Sequence, residues 1–304
     1  MAFLHSLESL RTPFLDQFFS IVTYLGSEVV FLVLAVALYW CVSKPRGLYL
    51  LAVGFFGTVC NQFLKLACRV PRPWVRDPDF TIVEQARADA GGYSFPSGHT
   101  QNVVGTMGCL IMDSKRTWVR VLLAVLAALT AFSRMYLGVH TPWDVGVSLV
   151  LAVLLVLVLH PVFRDMEEKP GKFFAVWAVM VLCGAAFLLY AEFWPFPADM
   201  DPENYAEGVS NAYKLMGALL GLGIGYAVDC RWIRFRTEAP LPGQILKCVL
   251  GLGLLLALKE GLKVLLGTDN WASALRYGLM IVFAAGIWPL TFPFFAKIGR
   301  KKEA

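Results

Sequence analysis

Long apolar runs separated by short polar loops are the dominant pattern of this chain. Several runs reach roughly 20 residues, the length of helix that crosses a lipid bilayer. The pattern predicts an all-α, polytopic helical membrane protein with about nine transmembrane helices. The predicted spans are 22–42, 48–66, 98–112, the run that ends near 138, 142–161, 173–194, 212–229, 245–265 and 274–296.

The N-terminal stretch has a different character. Residues 3–20 mix apolar and polar positions and are too polar to span, so they favour an amphipathic helix in the membrane interface. We expect two regions in the chain. The first, 1–168, is a membrane-embedded helical-bundle core that includes the interfacial helix, and the second, 169–304, is an additional four-helix transmembrane region.

The distribution of charge predicts the orientation in the membrane. Basic short loops belong on the cytoplasmic side. The basic loops are 43–47, 113–120, 163–172, 230–244 and the C-terminal tail. The acidic loop 196–211 and the loops 69–97 and 139–143 then face outward. We therefore expect a multi-pass protein of the cytoplasmic membrane.

Composition excludes several other classes of protein. The chain is 58% hydrophobic, with a mean hydropathy of +0.62, which excludes a soluble or disordered chain. Its net charge of +5 comes from scattered Lys and Arg, so no nucleic-acid partner is predicted. The seven cysteines lie mostly in or beside apolar runs without a CxxC pair, which indicates buried, reduced thiols. Small residues from Gly217 to Gly225 favour close helix packing, within the chain or in a homodimer.

Three polar islands interrupt the apolar pattern near the ends of predicted spans. Ionisable groups are costly there and usually functional. The islands are Lys65 with Arg72-Pro73, then Pro96-Ser97-Gly98-His99, and finally Ser133-Arg134 with His140 and Asp144. This inventory is typical of a phosphate site that has its own nucleophile and acid.

The first chemical requirement of such a site is positive charge around the phosphate oxygens. Lys65, Arg72 and Arg134 can supply it. Ser97 and Gly98 open a predicted helix, whose free amides favour an anion. Lys65 and Arg72 also fit a simple snorkelling role at the interface, and Ser97 also fits a helix cap.

Two interpretations apply to His140 and Asp144. Thr141 and Asp144 have the spacing of a capping box at the start of a helix, with His140 as a bystander. Alternatively, Asp144 accepts a proton from one ring nitrogen of His140 and leaves the other nitrogen free to attack phosphorus. Both interpretations can hold together. His99 suits a general acid, although a lone histidine near a helix start is more often structural.

The order, residue types and spacings of the three islands resemble the signature of the type 2 phosphatidic acid phosphatase superfamily, over roughly residues 13–165. The resemblance implies that His140 is the nucleophile, Asp144 its orienting partner and His99 the acid/base. It implies a phosphate cradle of Lys65, Arg72, Ser97, Gly98 and Arg134, with no metal and no other cofactor. The compact chain with short loops favours a bacterial member of the superfamily.

The resemblance predicts an integral membrane lipid phosphatase that acts through a phosphohistidine. The expected partners are a lipid substrate and the bilayer, and the expected substrates are undecaprenyl diphosphate, phosphatidate or phosphatidylglycerophosphate. The motif recognises only phosphate, so it does not separate them. Two alternatives remain: a lipid phosphotransferase with the same site, and a non-catalytic lipid-binding or transport scaffold. A scaffold would be indicated by loss of a motif residue, and none is missing.

Overall fold

The computed structural model describes residues 1–166 and 168–299. Its regular structure is helical and these residues form no strand, so the all-α prediction is confirmed. The helices are α1 (Ala2–Glu8), α2 (Pro13–Val22), α3 (Glu28–Cys41), α4 (Lys44–Cys68), α5 (Pro73–Arg76), α6 (Gly98–Asp113), α7 (Thr117–Tyr136), α8 (Pro142–Arg164), α9 (Gly171–Phe193), α10 (Pro202–Val228), α11 (Leu241–Leu266), α12 (Asn270–Val282) and α13 (Phe292–Phe295).

Fewer helices than predicted have the length and composition of a membrane span. Six stretches of the described residues qualify, or seven if the bent pair Pro13–Gly26 and Glu28–Cys41 forms one span. The six are Lys44–Arg76, Thr117–Tyr136, Pro142–Arg164, Gly171–Phe193, Leu241–Leu266 and Asn270–Phe295. The count of about nine is therefore not confirmed. Helix α6 has 16 residues, about 24 Å, which is shorter than a bilayer core of about 30 Å.

Two predicted segments are corrected by the structure. Residues 3–20 do not form one helix, because α1 ends and α2 begins at Pro13. The side chain of Thr12 caps α2 by accepting a hydrogen bond from the Leu15 amide at 3.3 Å. The acidic segment 196–211 is not a loop throughout, since α10 already starts at Pro202.

The chain forms two compact units, each assembled from separate segments. The first unit consists of Met1–Leu32, Ala52–Pro161 and Phe193–Gly208. The second consists of Val33–Leu51, Val162–Glu192 and the chain from Val209 onward. A division into regions at residue 168 stays a prediction about domain organisation.

In the first unit, the long segment between α4 and α6 packs over the end of α7. Val83 is buried in one apolar cluster with Tyr136, Leu137 and Val139. Its amide donates to the Leu137 carbonyl oxygen at 3.1 Å. Phe19 of α2 joins the same cluster. The packing brings the segments that carry all three polar islands together.

In the second unit, small residues of α10 allow close contact with α12. A Cβ atom on Gly217 would overlap the backbone of Ala274, and one on Gly221 would overlap that of Gly278. The small-residue run is therefore explained by packing within the chain. A homodimer stays a prediction.

Candidate active site

The first turn of α6 presents Gly98 and His99 to a cavity in the first unit. Ser97 is the N-cap of α6, and its Oγ accepts a hydrogen bond from the Thr100 amide at 3.4 Å. Ser97 is fully buried, and its own amide donates to the Asp144 carbonyl oxygen at 3.1 Å. The capping role of Ser97 is confirmed, but the Ser97 amide is not free to bind an anion.

The C-terminal turn of α7 carries Arg134 and places His140 just beyond it. Gly138 has a φ of +83°, a left-handed conformation that glycine adopts without strain and that reverses the chain after a helix. The amides of Val139 and His140 then donate back to the Arg134 carbonyl oxygen, at 3.1 and 3.2 Å. One backbone turn therefore fixes the position of His140 relative to Arg134.

Asp144 uses one carboxylate oxygen for three contacts. Its Oδ2 accepts a hydrogen bond from the Thr141 amide at 2.7 Å, and the Asp144 amide donates to Thr141 Oγ1 at 3.4 Å. This is the reciprocal pattern of a capping box. The same Oδ2 accepts a 2.6 Å hydrogen bond from the Ser94 hydroxyl and lies 3.5 Å from Nδ1 of His140. Capping and contact with His140 occur together, although the contact is longer than an ordinary hydrogen bond.

The guanidinium of Arg72 is buried and anchored by backbone carbonyl oxygens. Its Nε donates to Gly92 at 3.0 Å, its Nη2 to Gly91 at 2.5 Å, and its Nη1 to Val139 at 3.0 Å. Free snorkelling to the interface does not describe this side chain, because all three of its nitrogens are bound by the fold.

The two neighbours of His140 define its tautomer. Nη1 of Arg72 lies 3.0 Å from Nε2 of His140. A guanidinium has donors only, so Nε2 is the accepting, unprotonated nitrogen, and the proton of the neutral ring lies on Nδ1 toward Asp144. Burial, reinforced by the charge of Arg72, lowers the pKa of His140 well below its ordinary value of 6.5. The ring is therefore neutral near pH 7.

The two remaining predicted cations have different surroundings. Lys65, in the last turn of α4, donates from Nζ to the Tyr93 carbonyl oxygen at 2.6 Å. Arg134 is fully buried and donates from Nη1 to Thr23 Oγ1 at 2.7 Å. Its Nε and Nη2 have no hydrogen-bond partner in the described part of the chain. A buried guanidinium with unmatched donors is costly, so this setting favours an anionic ligand.

A cavity of about 300 Å³ brings together most of the predicted site residues. Those in its wall are Lys65, Arg72, Gly98, His99 and His140. Nε2 of His99 has no hydrogen-bond partner within the described ranges. The other predicted residues, Ser97, Arg134 and Asp144, are buried outside this wall.

Sequence reasoning missed three residues of the site. Ser94 binds Asp144, Thr23 binds Arg134, and Glu207 lines the cavity. Ser94 and Thr23 give no sequence signal, because each acts through a contact between distant parts of the chain. The acidic character of the segment around Glu207 was visible, but its position beside the cavity was not.

Two family models match the chain. The model described as PAP2 superfamily matches residues 46–168. The model described as PAP2 superfamily phosphatase, transmembrane extension, matches residues 213–300. The first match contains every predicted site residue, and the second falls entirely within the C-terminal half of the chain.

Curated relatives are similar to different parts of the chain. An undecaprenyl-diphosphatase of Bacillus subtilis is 36% identical over 37% of this chain and 55% of its own length. A probable sphingosine-1-phosphate phosphatase of Dictyostelium discoideum is 26% identical over 95% of this chain and 70% of its own length. Phosphatidylglycerophosphatase B of Bacillus subtilis is 27% identical over 54% of this chain and 81% of its own length.

The matched part of the chain spans little more than half the length of the Bacillus undecaprenyl-diphosphatase. No solved structure matches the chain. The relatives come from bacterial and eukaryotic sources, so a bacterial origin stays a prediction.

Proposed function

The chain belongs to the PAP2 superfamily, and on that premise we propose that it is an integral membrane lipid phosphatase. It is a multi-pass membrane protein, so its substrate is an amphiphile whose phosphate reaches the cavity while its apolar tails remain in lipid. The proposed class comprises phosphate monoesters and diphosphates of lipids, including undecaprenyl diphosphate, phosphatidate and phosphatidylglycerophosphate.

The observation that carries this proposal is the contact between Nη1 of Arg72 and Nε2 of His140 at 3.0 Å. It supports a neutral histidine with an unprotonated nitrogen in the cavity wall, immediately beside a cation suited to phosphate. A phosphate oxygen would compete with Nε2 for the Nη1 donor. Binding would therefore release the nitrogen lone pair at the moment when phosphorus is placed next to it.

The proposed reaction has two steps. Nε2 of His140 attacks phosphorus, the P–N bond forms, and the P–O bond to the lipid breaks. His99 takes up a proton together with the bound anionic phosphate group, gives it to the departing lipid oxygen, and then takes one from the water that cleaves the P–N bond. Asp144 stabilises the positive charge that the His140 ring gains, through the proton on Nδ1. Release of inorganic phosphate restores the neutral ring.

Positive charge for the transition state comes from the protein in this proposal. Lys65 and Arg72 line the cavity, and the first turn of α6 adds the amide of Gly98. Arg134 approaches from the buried side with two unmatched donor nitrogens. We therefore propose a metal-independent reaction. The distribution of basic loops supports an active site on the extracytoplasmic face of the cytoplasmic membrane.

The decisive experiment measures phosphate release by the purified, full-length protein in detergent. The substrates are undecaprenyl diphosphate, phosphatidate, phosphatidylglycerophosphate, a sphingoid-base phosphate and a soluble sugar phosphate, each with and without EDTA. We expect release from at least one lipid, no effect of EDTA, and inhibition by vanadate.

The matched controls are His140→Ala and His160→Ala. His160 lies in α8 and is not among the residues of the cavity wall. Release that survives in the His140 variant would overturn the nucleophile, and EDTA inhibition reversed by added metal would overturn the metal-free reaction. Release from none of the lipids would overturn the proposed hydrolase.

A further inference from the structure

The segment between the two family matches contributes a side chain to the phosphate cavity. Residues Phe193–Gly208 belong to the first unit, and Glu207 lies near the start of α10 within them. Oε2 of Glu207 would lie 2.9 Å from a Cβ atom on Gly91, so the lack of a side chain there permits the close approach. The Gly91 carbonyl oxygen anchors Nη2 of Arg72. The carboxylate of Glu207 thus lies against a backbone contact of a phosphate-binding cation.

Glu207 also lies where two cavities meet. It lines the cavity of about 300 Å³ together with Lys65, His99 and His140. It also lines a second cavity of about 730 Å³, and the two cavities share Arg72 and Gly91. A substrate whose phosphate occupies the smaller cavity would extend its neighbouring groups past Glu207.

A carboxylate in this position conflicts with phosphate binding unless it serves another purpose. Lys65 and Arg72 are bound by backbone carbonyl oxygens, so neither needs Glu207 as a hydrogen-bond partner. Within the described residues, the Glu207 carboxylate forms no hydrogen bond or salt bridge and acts on Lys65 and Arg72 only through its charge. The side chain is exposed and lines both cavities. Its negative charge repels a second phosphate group and attracts a cation that accompanies the first.

We propose that Glu207 is a specificity-determining residue that favours lipid monophosphates carrying a protonated amine near the phosphate and disfavours lipid diphosphates. This inference rests on the proposed phosphatase activity and narrows its substrate class. The ammonium group would lie at the junction of the cavities, beside the Glu207 carboxylate, while the phosphate contacts Arg72 and Lys65. A substrate with a second phosphate would place an additional negative charge at the same point.

The test compares kcat/KM for three lipids: a long-chain amino-alcohol phosphate, its amine-free analogue of the same chain length, and a polyprenyl diphosphate. In the natural protein we expect the amino lipid to exceed the amine-free analogue by about tenfold, equivalent to about 1.4 kcal/mol. In Glu207→Gln, kcat/KM for the amino lipid should approach that for the amine-free analogue. The kcat/KM for the diphosphate should rise relative to that for the amino lipid. Glu260→Gln, an exposed acid of α11, is the matched control and should leave both ratios unchanged.

The ratios separate specificity from a structural role. A purely structural role for Glu207 would lower turnover of all three lipids in proportion and leave the ratios unchanged, which would overturn the inference alone. Equal kcat/KM for the amino lipid and its analogue in the natural protein would also overturn it, without any variant. Release of phosphate from no lipid would overturn the proposed function and this inference together.

Discussion

The hydroxyl of Ser94 donates a 2.6 Å hydrogen bond to Oδ2 of Asp144, the same oxygen that faces Nδ1 of His140. Ser94 is fully buried in the segment between α5 and α6, so this bond ties the carboxylate to a part of the chain outside its own helix. A carboxylate held by several donors keeps its position while the charge on His140 changes.

Removing this hydroxyl should slow the reaction without removing any proposed catalytic group. We expect Ser94→Ala to lower kcat by roughly ten- to a hundredfold, since a hydrogen bond to a charged group contributes about 1.5–3 kcal/mol. Ser148→Ala is the matched control, because the Ser148 hydroxyl is equally buried but donates to the Asp144 carbonyl oxygen at 3.0 Å. Equal losses in the two variants would contradict a role for Ser94 at the carboxylate.

Substitutions of His99 and His140 should block different steps of the proposed reaction. With an aryl phosphate, whose leaving group needs no acid, His99→Ala should still form the phosphohistidine but hydrolyse it slowly. We expect acid-labile phosphate bound to the protein, detected by intact-mass spectrometry, and steady-state turnover reduced by roughly a hundredfold or more. His140→Ala should bind no phosphate covalently. Covalent phosphate in the His140 variant would place the nucleophile elsewhere.

The buried position of His140 predicts the direction of one pH effect on stability. Its pKa in the folded state is lowered below 6.5, chiefly by burial, so the unfolded state binds more protons in mildly acidic solution. Stability is then unaffected by this group above about pH 6.5 and falls as the pH drops from there toward the lowered pKa. We expect His140→Gln to flatten the acid side of a plot of Tm against pH.

The contribution of His5 to stability should depend on pH in the opposite direction. Its hydrogen bonds to Asp77 and then Glu8 raise its pKa, so its contribution to stability is present at low pH and is lost as the pH rises through the raised pKa. His5→Gln should therefore lower Tm mainly in acidic solution. If both variants changed the Tm profile in the same direction, the sign assigned to His140 would be wrong.

Two cysteines of the second unit should be capable of forming a disulfide. Sγ of Cys41, at the end of α3, lies 3.2 Å from Sγ of Cys248 in α11, so a closure of about 1.2 Å would reach bonding distance. A diazene oxidant accepts the two electrons and two protons that the thiols lose. We expect one intramolecular disulfide by peptide mass spectrometry and a Tm a few degrees higher.

Cys41→Ser should abolish this disulfide, whereas Cys183→Ser should not affect it. Loss of the Cys183 thiol is a suitable control because Cys183 lies in α9 and is also partly buried. Oxidation that produces only dimers linked between chains would contradict the intramolecular pair.

The orientation of the active site can be tested with a native residue. Cys68 is exposed and is the last residue of α4, between Lys65 and Arg72 in the chain. In a variant that keeps only this cysteine, a membrane-impermeant maleimide should label intact cells if the site faces outward. In the same background without Cys68, Lys115→Cys in the loop before α7 should be labelled only after the membrane is permeabilised. The reverse pattern would invert the proposed topology.

The sequence predicted the short-range geometry of the candidate site better than the long-range contacts that assemble it. The helix-capping contacts of Asp144 and Ser97 were predictable because they involve neighbours within a few residues, Thr141 and Thr100. Local spacing also predicted that a capping box and a contact with the histidine would coexist. These features follow from short-range geometry, which a sequence displays directly.

What the sequence did not reveal depends on distant segments. Arg134 donates a hydrogen bond to Thr23, and Arg72 donates to carbonyl oxygens of residues about twenty positions later. No periodic pattern in the sequence predicts these contacts. The count of about nine spans is not confirmed, because hydropathy does not separate a short helix such as α6 from a helix long enough to cross the bilayer. Helix α10 begins about ten residues earlier than the predicted span at 212, because its first turns are polar and hydropathy does not detect them.

The turn at Gly138 determines which amides of the site become protected from hydrogen exchange together. Because the amides of Val139 and His140 donate to the Arg134 carbonyl oxygen, the proposed nucleophile and a proposed phosphate-binding arginine are joined by local hydrogen bonds rather than by distant packing. Amide hydrogen exchange should therefore find these two amides closing with the last turn of α7, as one cooperative element. A mutation that destabilises the N-terminal helices would leave this element intact. It would remove the contact of Thr23 with Arg134 and the packing of Phe19 against the end of α7.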